Sequence, residues 1–287
     1  MLISNFLKDN VPSFAGFKEQ PIVNKLGSTV GWHSHCYQNG NQYPLGGGTA
    51  TDRETARRIS IAETFERFLF RKQIDSGKSE LFLFDQVPST CGLACGFDLS
   101  KTKMRSFCEG VERWAWSQWI DRKHTIDEMT APTQLSELSI HLASAFIGHK
   151  YYQKKLIVQL DNVQYDVNFN VFLGMTDRGV FAGSRVTGKF DDQWGHAIIE
   201  AWRNYNNFQL FNENIELDWL ERRVFFFGRN KGEALLQINA TNNINWPIPV
   251  VRFHSRIDTE IEGVYLFRTL LEDYVPWTDG NDNRFVY

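Results

Sequence analysis

Two short frames of the form Glu-x-x-Glu-Arg carry the side chains of this sequence best suited to chemistry: Glu63, Glu66 and Arg67, then Glu109, Glu112 and Arg113. Each frame lies inside an apolar helical pattern. Glutamates three residues apart share one helical face, and a buried carboxylate without a counter-charge costs several kcal/mol. Four such acids ask for cations. Carboxylates without a partnered histidine suit a hard, oxygen-preferring ion such as Mg²⁺, whereas di-iron bundles pair Glu with a His three residues on. Arg67 and Arg113 stand beside the acids, placed to hold their geometry or a phosphate oxygen. The plainer account of one frame is a solvated helix face with an adjacent ion pair. Two copies in apolar surroundings shift the balance toward a site.

The elements that must position these acids repeat. With an offset of 46 residues, Gly46 falls on Gly92, Asp52 on Asp98, Glu63 on Glu109, Glu66 on Glu112 and Arg67 on Arg113. The extended stretch Ser28 to Tyr37 reads as strand, and Gly46-Gly47-Gly48 as a loop leading into a first helix, roughly Asp52 to Asp75. Thr51 with Glu54 reads as its capping box. Ile59, Ile61, Ala62, Phe65, Phe68 and Leu69 cover most of its circumference. A second helix, roughly Leu99 to Ile120, wraps Phe107, Val111, Trp114, Ala115, Trp119 and Ile120 around its acids, and a helix apolar nearly all round is buried.

A third, weaker unit follows strand-like runs Leu156 to Leu160 and Asp166 to Met175. It has a glycine loop at Gly183, a cap at Asp191 or Asp192, and Glu200 with Arg203 on its helix. Thr130 to His149 reads as a helix after the Pro132 turn. Val224 to Phe227, Pro249 to His254 and Val264 to Phe267 read as strands, ahead of a polar tail from Pro276 that is either mobile or folded over the site. Strand, glycine loop and acid-bearing helix thus recur. The expectation is an α+β fold with helices on mainly antiparallel sheet, in one domain: N-terminal strands in 1–44, paired acidic-helix units in 45–120, a third unit in 121–210, and C-terminal strands and tail in 211–287.

The bulk properties bound the function. A chain of 287 residues, 42% hydrophobic and 23% charged, is ordinary for a globular protein. A net charge of −3 leaves no nucleic-acid footprint. Nothing approaches the roughly 20 apolar residues of a membrane helix, and the N-terminus has no signal-peptide plan. A cytoplasmic protein is the expectation. Four cysteines are too few for a disulfide framework and read as reduced thiols.

Other motifs carry less. The segments Gly46 to Thr49 and Cys91 to Gly96 would enter helix N-termini, which favour anions, but neither matches a Walker or dinucleotide fingerprint. His33, His35 and Cys36, with Cys91 and Cys95, could ligate zinc, although the spacing fits no closed pattern; a strand with both histidines on one face is the blander account. The thiols could be nucleophiles, but no Cys/His signature accompanies them. Trp246-Pro247-Ile248-Pro249 reads as a bent strand entrance rather than a proline-rich ligand.

The glycine loop, Thr51-Asp52, Ala62-Glu63-Thr64-Phe65-Glu66-Arg67, Thr90-Cys91-Gly92 and Glu109-Gly110-Val111-Glu112-Arg113, in that order and spacing, resemble the YcaO superfamily over roughly Leu45 to Asn207. Within it the chain is most similar to azoline-forming cyclodehydratase subunits of the microcin B type, in a compact version. The resemblance implies a YcaO-like fold and an ATP- and Mg²⁺-dependent enzyme acting on backbone amides of a ribosomally made precursor peptide. Glu63, Glu66, Glu109 and Glu112 would hold Mg²⁺; Glu112, Arg113 and Glu200 would be catalytic. Gly47, Gly48, Thr49, Glu63, Cys91, Arg113, His196 and Glu200 would meet the nucleotide. The chain departs from the pattern at His196, where many members have Arg, at Thr49, where some have Lys, in the short stretch before Thr90, and in lacking a proline-rich end. No leader-recognition domain is expected before Leu45, so a separate leader-peptide-binding partner is implied, with a homodimer possible. Thioamide or amidine formation is the nearest rival chemistry. A non-catalytic peptide- or partner-binding subunit and an unrelated metal-binding protein are the rivals from other classes.

Overall fold

The structure is a computed structural model describing residues 14–38, 44–188, 194–210, 217–242, 244–276, 278 and 280–285. The chain folds into two compact units. One takes the sequence up to Phe107 together with His254–Arg268, the other Cys108–Phe253 together with the stretch from Thr269 onward.

In the first unit, strands β1 (Phe14–Val23), β2 (Thr29–Gln38) and β3 (Pro44–Ala50) form an antiparallel sheet in the order β1-β2-β3, and helix α1 (Arg53–Asp75) packs on it. The alternation of β2 sends Ser34 and Cys36 toward the helix: the Ser34 and Ser60 hydroxyls lie 3.2 Å apart, and Cys36 meets Thr64. Gly46 and Gly48 are strand residues, not a loop leading into the helix. A side chain on either would strike α1 backbone, since a Cβ on Gly46 would lie 2.5 Å from the Ser60 carbonyl oxygen and one on Gly48 2.1 Å from that of Ala56. The N-cap of α1 is Asp52, which accepts from the Thr55 amide at 2.8 Å, rather than Thr51. Ile59, expected in the core, is 38% exposed, because the sheet covers only one side of the helix.

The core of this unit gathers Phe14, Cys36, Ile61, Phe65, Leu69, Phe84 and Leu93 with Ile257, Val264 and Leu266 from late in the chain. Ile257 ends β9 (Val251–Ile257), Leu266 lies on β10 (Tyr265–Leu271) and Val264 just before it, in a sheet ordered β4-β10-β9 with β4 (Leu93–Gly96). Arg268, buried, stacks over Phe84 and donates to the Phe82 and Val87 carbonyls at 2.9 and 2.7 Å, tying down a short 3-10 turn at Glu80–Phe82.

The boundary between the units runs through helix α2 (Leu99–Trp116), which ends in a π-turn at Ser117–Asp121. In the second unit, β5 (Asp127–Met129), β6 (Gly148–Leu160), β7 (Val163–Met175) and β8 (Val180–Thr187) form an antiparallel sheet in chain order. Helix α3 (Glu137–Ala143) is the only helical part of the expected Thr130 to His149 segment, whose end already belongs to β6. Helix α4 (Gly195–Leu210) packs on β7 and β8. Its expected caps, Asp191 and Asp192, lie outside the described residues.

Val224 to Phe227 is not a strand. It closes helix α5 (Trp219–Phe227), set by a capping box between Asp218 and Glu221 and by burial of Arg223, Val224 and Phe227 along one helical face. Helix α6 (Lys231–Asn239) follows. The tail is anchored: Arg284 grips Asp121 with a bidentate pair from Nε and Nη2, at 2.9 and 2.6 Å, and Phe285 is fully buried against Trp116 and Phe227. Mixed helices and antiparallel sheet match the expected fold class. No helix among the described residues is long and apolar enough to cross a membrane.

Candidate functional site

The first acidic frame lies on α1. The Gly47 amide, on edge strand β3, donates to Glu63 Oε2 at 2.8 Å, and Arg67 donates to Glu63 Oε1 at 2.6 Å. Gly48 is pressed against the helix, and Thr49 Oγ1 lies 2.6 Å from His33 Nδ1. The N-termini of α1 and α2 are closed by their own aspartates, Asp52 on the Thr55 amide and Asp98 on the Lys101 amide at 2.9 Å. At each of these N-termini one of the free amides is thus already taken by a carboxylate.

Glu66, one helical turn after Glu63, is close enough for its charge to act on Cys95. Burial pushes the Cys95 thiol up first, and Glu66 adds to it; burial likewise pushes Cys36 up to about 11, against a hydrogen bond with Thr64. All four cysteines are buried free thiols. Cys36 and Cys95, pushed toward the protonated thiol, make poor zinc ligands and poor nucleophiles. His33 and His35 share a strand face with ring centroids 4.1 Å apart, edge to face. Among the described residues no group of three or more His, Cys, Asp or Glu stands ready as a metal-ligand set.

The second frame lies on α2 and is tied into the second unit. Glu112 is buried, and its two oxygens are held by edge strand β8: Ser184 Oγ donates to Oε1 at 3.0 Å and the Val186 amide to Oε2 at 3.1 Å. Arg113 reaches back along the helix, with Nη1 3.4 Å from Glu112 Oε1 and Nε 3.9 Å from Glu109 Oε1. Glu200, on α4, takes the Ser184 amide at 2.7 Å. One strand residue thus serves two carboxyls, through its backbone and its hydroxyl. Burial raises the Glu200 pKa, the Glu112 charge raises it further, and the Arg113 cation opposes both. His196 is exposed one turn before Glu200, and Cys91 is buried in the first unit.

A carboxyl whose ionisation is opposed by burial and by a neighbouring carboxylate is a place where a divalent cation relieves a cost. The oxygen donors here would suit Mg²⁺, which takes one or two carboxylates and completes its shell with water or phosphate oxygens, and an arginine stands beside them.

Sequence reasoning missed Ser184, Val186 and Trp116, whose indole N–H donates to Ser184 Oγ at 2.9 Å. A signal for Ser184 existed. In both units the residue after a helix-contacting glycine donates its amide to a glutamate sixteen positions on, Gly47 to Glu63 and Ser184 to Glu200. A Cβ on Gly183 would lie 2.1 Å from the Ala197 carbonyl oxygen, as one on Gly46 would strike Ser60. The repeat is therefore one of contacts as well as of sequence.

No protein-family model matches the chain, and no curated protein matches it. Solved structures do. The Escherichia coli microcin synthetase McbBCD complex with pro-MccB17 bound matches 93% of this chain and 90% of its own at a TM-score of 0.62 and 11% identity. YcaO from Methanopyrus kandleri, bound with AMPPCP and Mg²⁺, matches 95% and 89% at 0.59 and 12%. The fold is that of YcaO. A heterocyclase in complex with substrate and cofactor adds a third match, at 0.58 and 10% identity over 95% of this chain, which spans about half, 52%, of its length. On the YcaO fold the paired acids of α1 and α2, and Glu200 of α4, lie on helices packed against or tied to edge strands.

Proposed function

We propose that this protein is an ATP- and Mg²⁺-dependent enzyme that activates backbone amides of a ribosomally made precursor peptide and forms thiazoline or oxazoline rings by cyclodehydration. The observation that carries the reading is the Glu112 and Glu200 pair braced on one strand residue beside Arg113, in a chain with the YcaO fold. The groups named in the neighbouring structures, a pro-peptide in one and AMPPCP with Mg²⁺ in another, support it.

Glu63, Glu66, Glu109 and Glu112 are the proposed metal ligands, Arg113 the phosphate contact, and Glu200 the acid that completes nucleotide binding, with His196 one turn away. In the reaction a Cys, Ser or Thr side chain of the peptide attacks the preceding carbonyl carbon, and the amide oxygen leaves as inorganic phosphate while ATP ends as ADP. Mg²⁺-ATP supplies the phosphoryl group that makes this oxygen a leaving group. The chain's own part is electrostatic. Arg113 would offer a fixed cation where phosphate charge develops, and the hydrogen bonds on Glu112 aim its carboxylate. A separate leader-binding protein is the proposed partner.

Calorimetry with ATP and Mg²⁺ tests the reading. Binding is expected for the wild-type chain and is lost, or weakened at least tenfold, in Glu112→Gln and Glu200→Gln. Binding that ignores both changes overturns it. Mass spectrometry of the peptide product separates loss of water from replacement of oxygen by sulfur, which would mark thioamide formation.

A further inference from the structure

We infer that Trp116 is a positioning residue, acting through the Ser184 hydroxyl to hold the Glu112 carboxylate in the orientation that binds metal. The inference rests on the reading of Glu112 as a metal ligand. It concerns residues that no motif contains.

Trp116 follows Glu112 by four positions on α2, so the two side chains lie on one helical face. The indole N–H donates to Ser184 Oγ at 2.9 Å, and that hydroxyl stands 3.0 Å from Glu112 Oε1. A serine hydroxyl has one proton and rotates to suit its surroundings. With the indole occupying a lone pair, the proton is committed to the carboxylate. The Ser184 amide meanwhile holds Glu200 at 2.7 Å, so a single residue sets the spacing of both carboxyls. The Val186 amide fixes the other oxygen of Glu112 at 3.1 Å.

The indole itself cannot swing away. It is fully buried, stacked on Trp119 at 5.3 Å with ring planes 19° apart, and set edge-on to Phe169 at 5.8 Å and Phe285 at 6.2 Å. Ser184 is 1% exposed, so water does not compete for its hydroxyl. A hydrogen bond to a charged group in such surroundings is worth enough to change metal affinity about tenfold.

The test uses the whole chain and two readouts. Mg²⁺ is titrated calorimetrically in the presence of AMPPCP for wild type, Trp116→Phe, Ser184→Ala and the double variant. Each single change is expected to weaken Mg²⁺ binding about tenfold, and the double variant to be no weaker than Ser184→Ala, because both remove the same chain of hydrogen bonds. Losses that multiply to about a hundredfold overturn the inference. The second readout needs no metal: in nitrogen-15 NMR the Trp116 indole N–H is expected to exchange slowly, to exchange faster in Ser184→Ala, and to shift in Glu112→Gln. An indole resonance indifferent to both changes overturns the positioning role even if Trp116→Phe binds metal poorly, which would then be a packing defect. If the indole responds but wild type binds no Mg²⁺ with AMPPCP, the hydrogen-bond chain stands and the assignment of Glu112 as a metal ligand falls, taking with it the inferred function of Trp116.

Discussion

Glu112 and Glu200 show how two acids of the same type take different roles from their neighbours. Glu112 is given two donors and an arginine; Glu200 has one backbone donor, and desolvation and then the Glu112 charge raise its pKa. The stability consequence has a definite sign. A carboxyl whose folded-state pKa is raised costs nothing below its ordinary value near 4.5, and the cost grows as pH rises from there through the folded-state value, where it becomes complete. Glu200→Gln keeps an acceptor for the Ser184 amide and removes that cost. The variant is expected to be more stable than wild type at neutral pH, with the gain vanishing as pH falls toward 4. Denaturant melts across that range without nucleotide check this, and a gain that persists at pH 4 points to packing instead. Stability gained at the expense of binding is the expected exchange at a site built from opposed charges.

At the scale of elements, the glycines of the edge strands decide how closely helix and sheet approach. Gly48 and Gly183 meet helix backbone, not yielding side-chain ends, so a methyl group at either has nowhere to go: its contacts are the Ala56 and Ala197 carbonyl oxygens at 2.1 Å. Gly48→Ala and Gly183→Ala are each expected to destabilise by ~1–3 kcal/mol or more through overpacking, measured as a lowered denaturant midpoint. Gly232→Ala is the control, since a Cβ there meets nothing within 4 Å. Equal midpoints for all three variants would mean that the helices yield freely. In Gly183→Ala the Ser184 amide should also move off Glu200, so nucleotide binding should fall further than stability alone explains. Both were legible as loop glycines before a helix, Gly48 in a run of three and Gly183 singly, whereas both lie on strands. A glycine that permits close packing and a glycine that permits a tight turn look alike in one dimension.

On the scale of the whole molecule, the chain leaves its first unit at α2 and returns to it with His254–Arg268. The returning segment delivers Ile257, Val264 and Leu266 to the core, and Arg268 to the 3-10 turn. Loss of large buried aliphatic side chains costs ~2–5 kcal/mol each, and a domain holds only ~5–15 kcal/mol in total. A fragment ending at residue 253 is therefore expected to leave α1 unprotected in amide exchange. Full protection of α1 in that fragment would show that the late segment is dispensable.

Local pattern alone determined a good deal. The two Glu-x-x-Glu-Arg frames, their burial-prone helices and Glu200 on a third helix follow from residue spacing, because the periodicity of an α-helix is set by neighbours a few positions away. The antiparallel class follows from short apolar runs between turn residues, and β6, β7, β9 and β10 formed where strands were expected. Tertiary structure decided the rest. It made a helix of Val224 to Phe227, where the capping box outweighed a β-favouring composition, and placed Asp52 rather than Thr51 at the start of α1. It also anchored the tail through Arg284 and Phe285. Above all it chose Ser184 and Trp116 as the donors behind Glu112. Ser184 lies 72 positions from Glu112 and 68 from Trp116, and a hydrogen bond across that separation exists only once strand and helix have met.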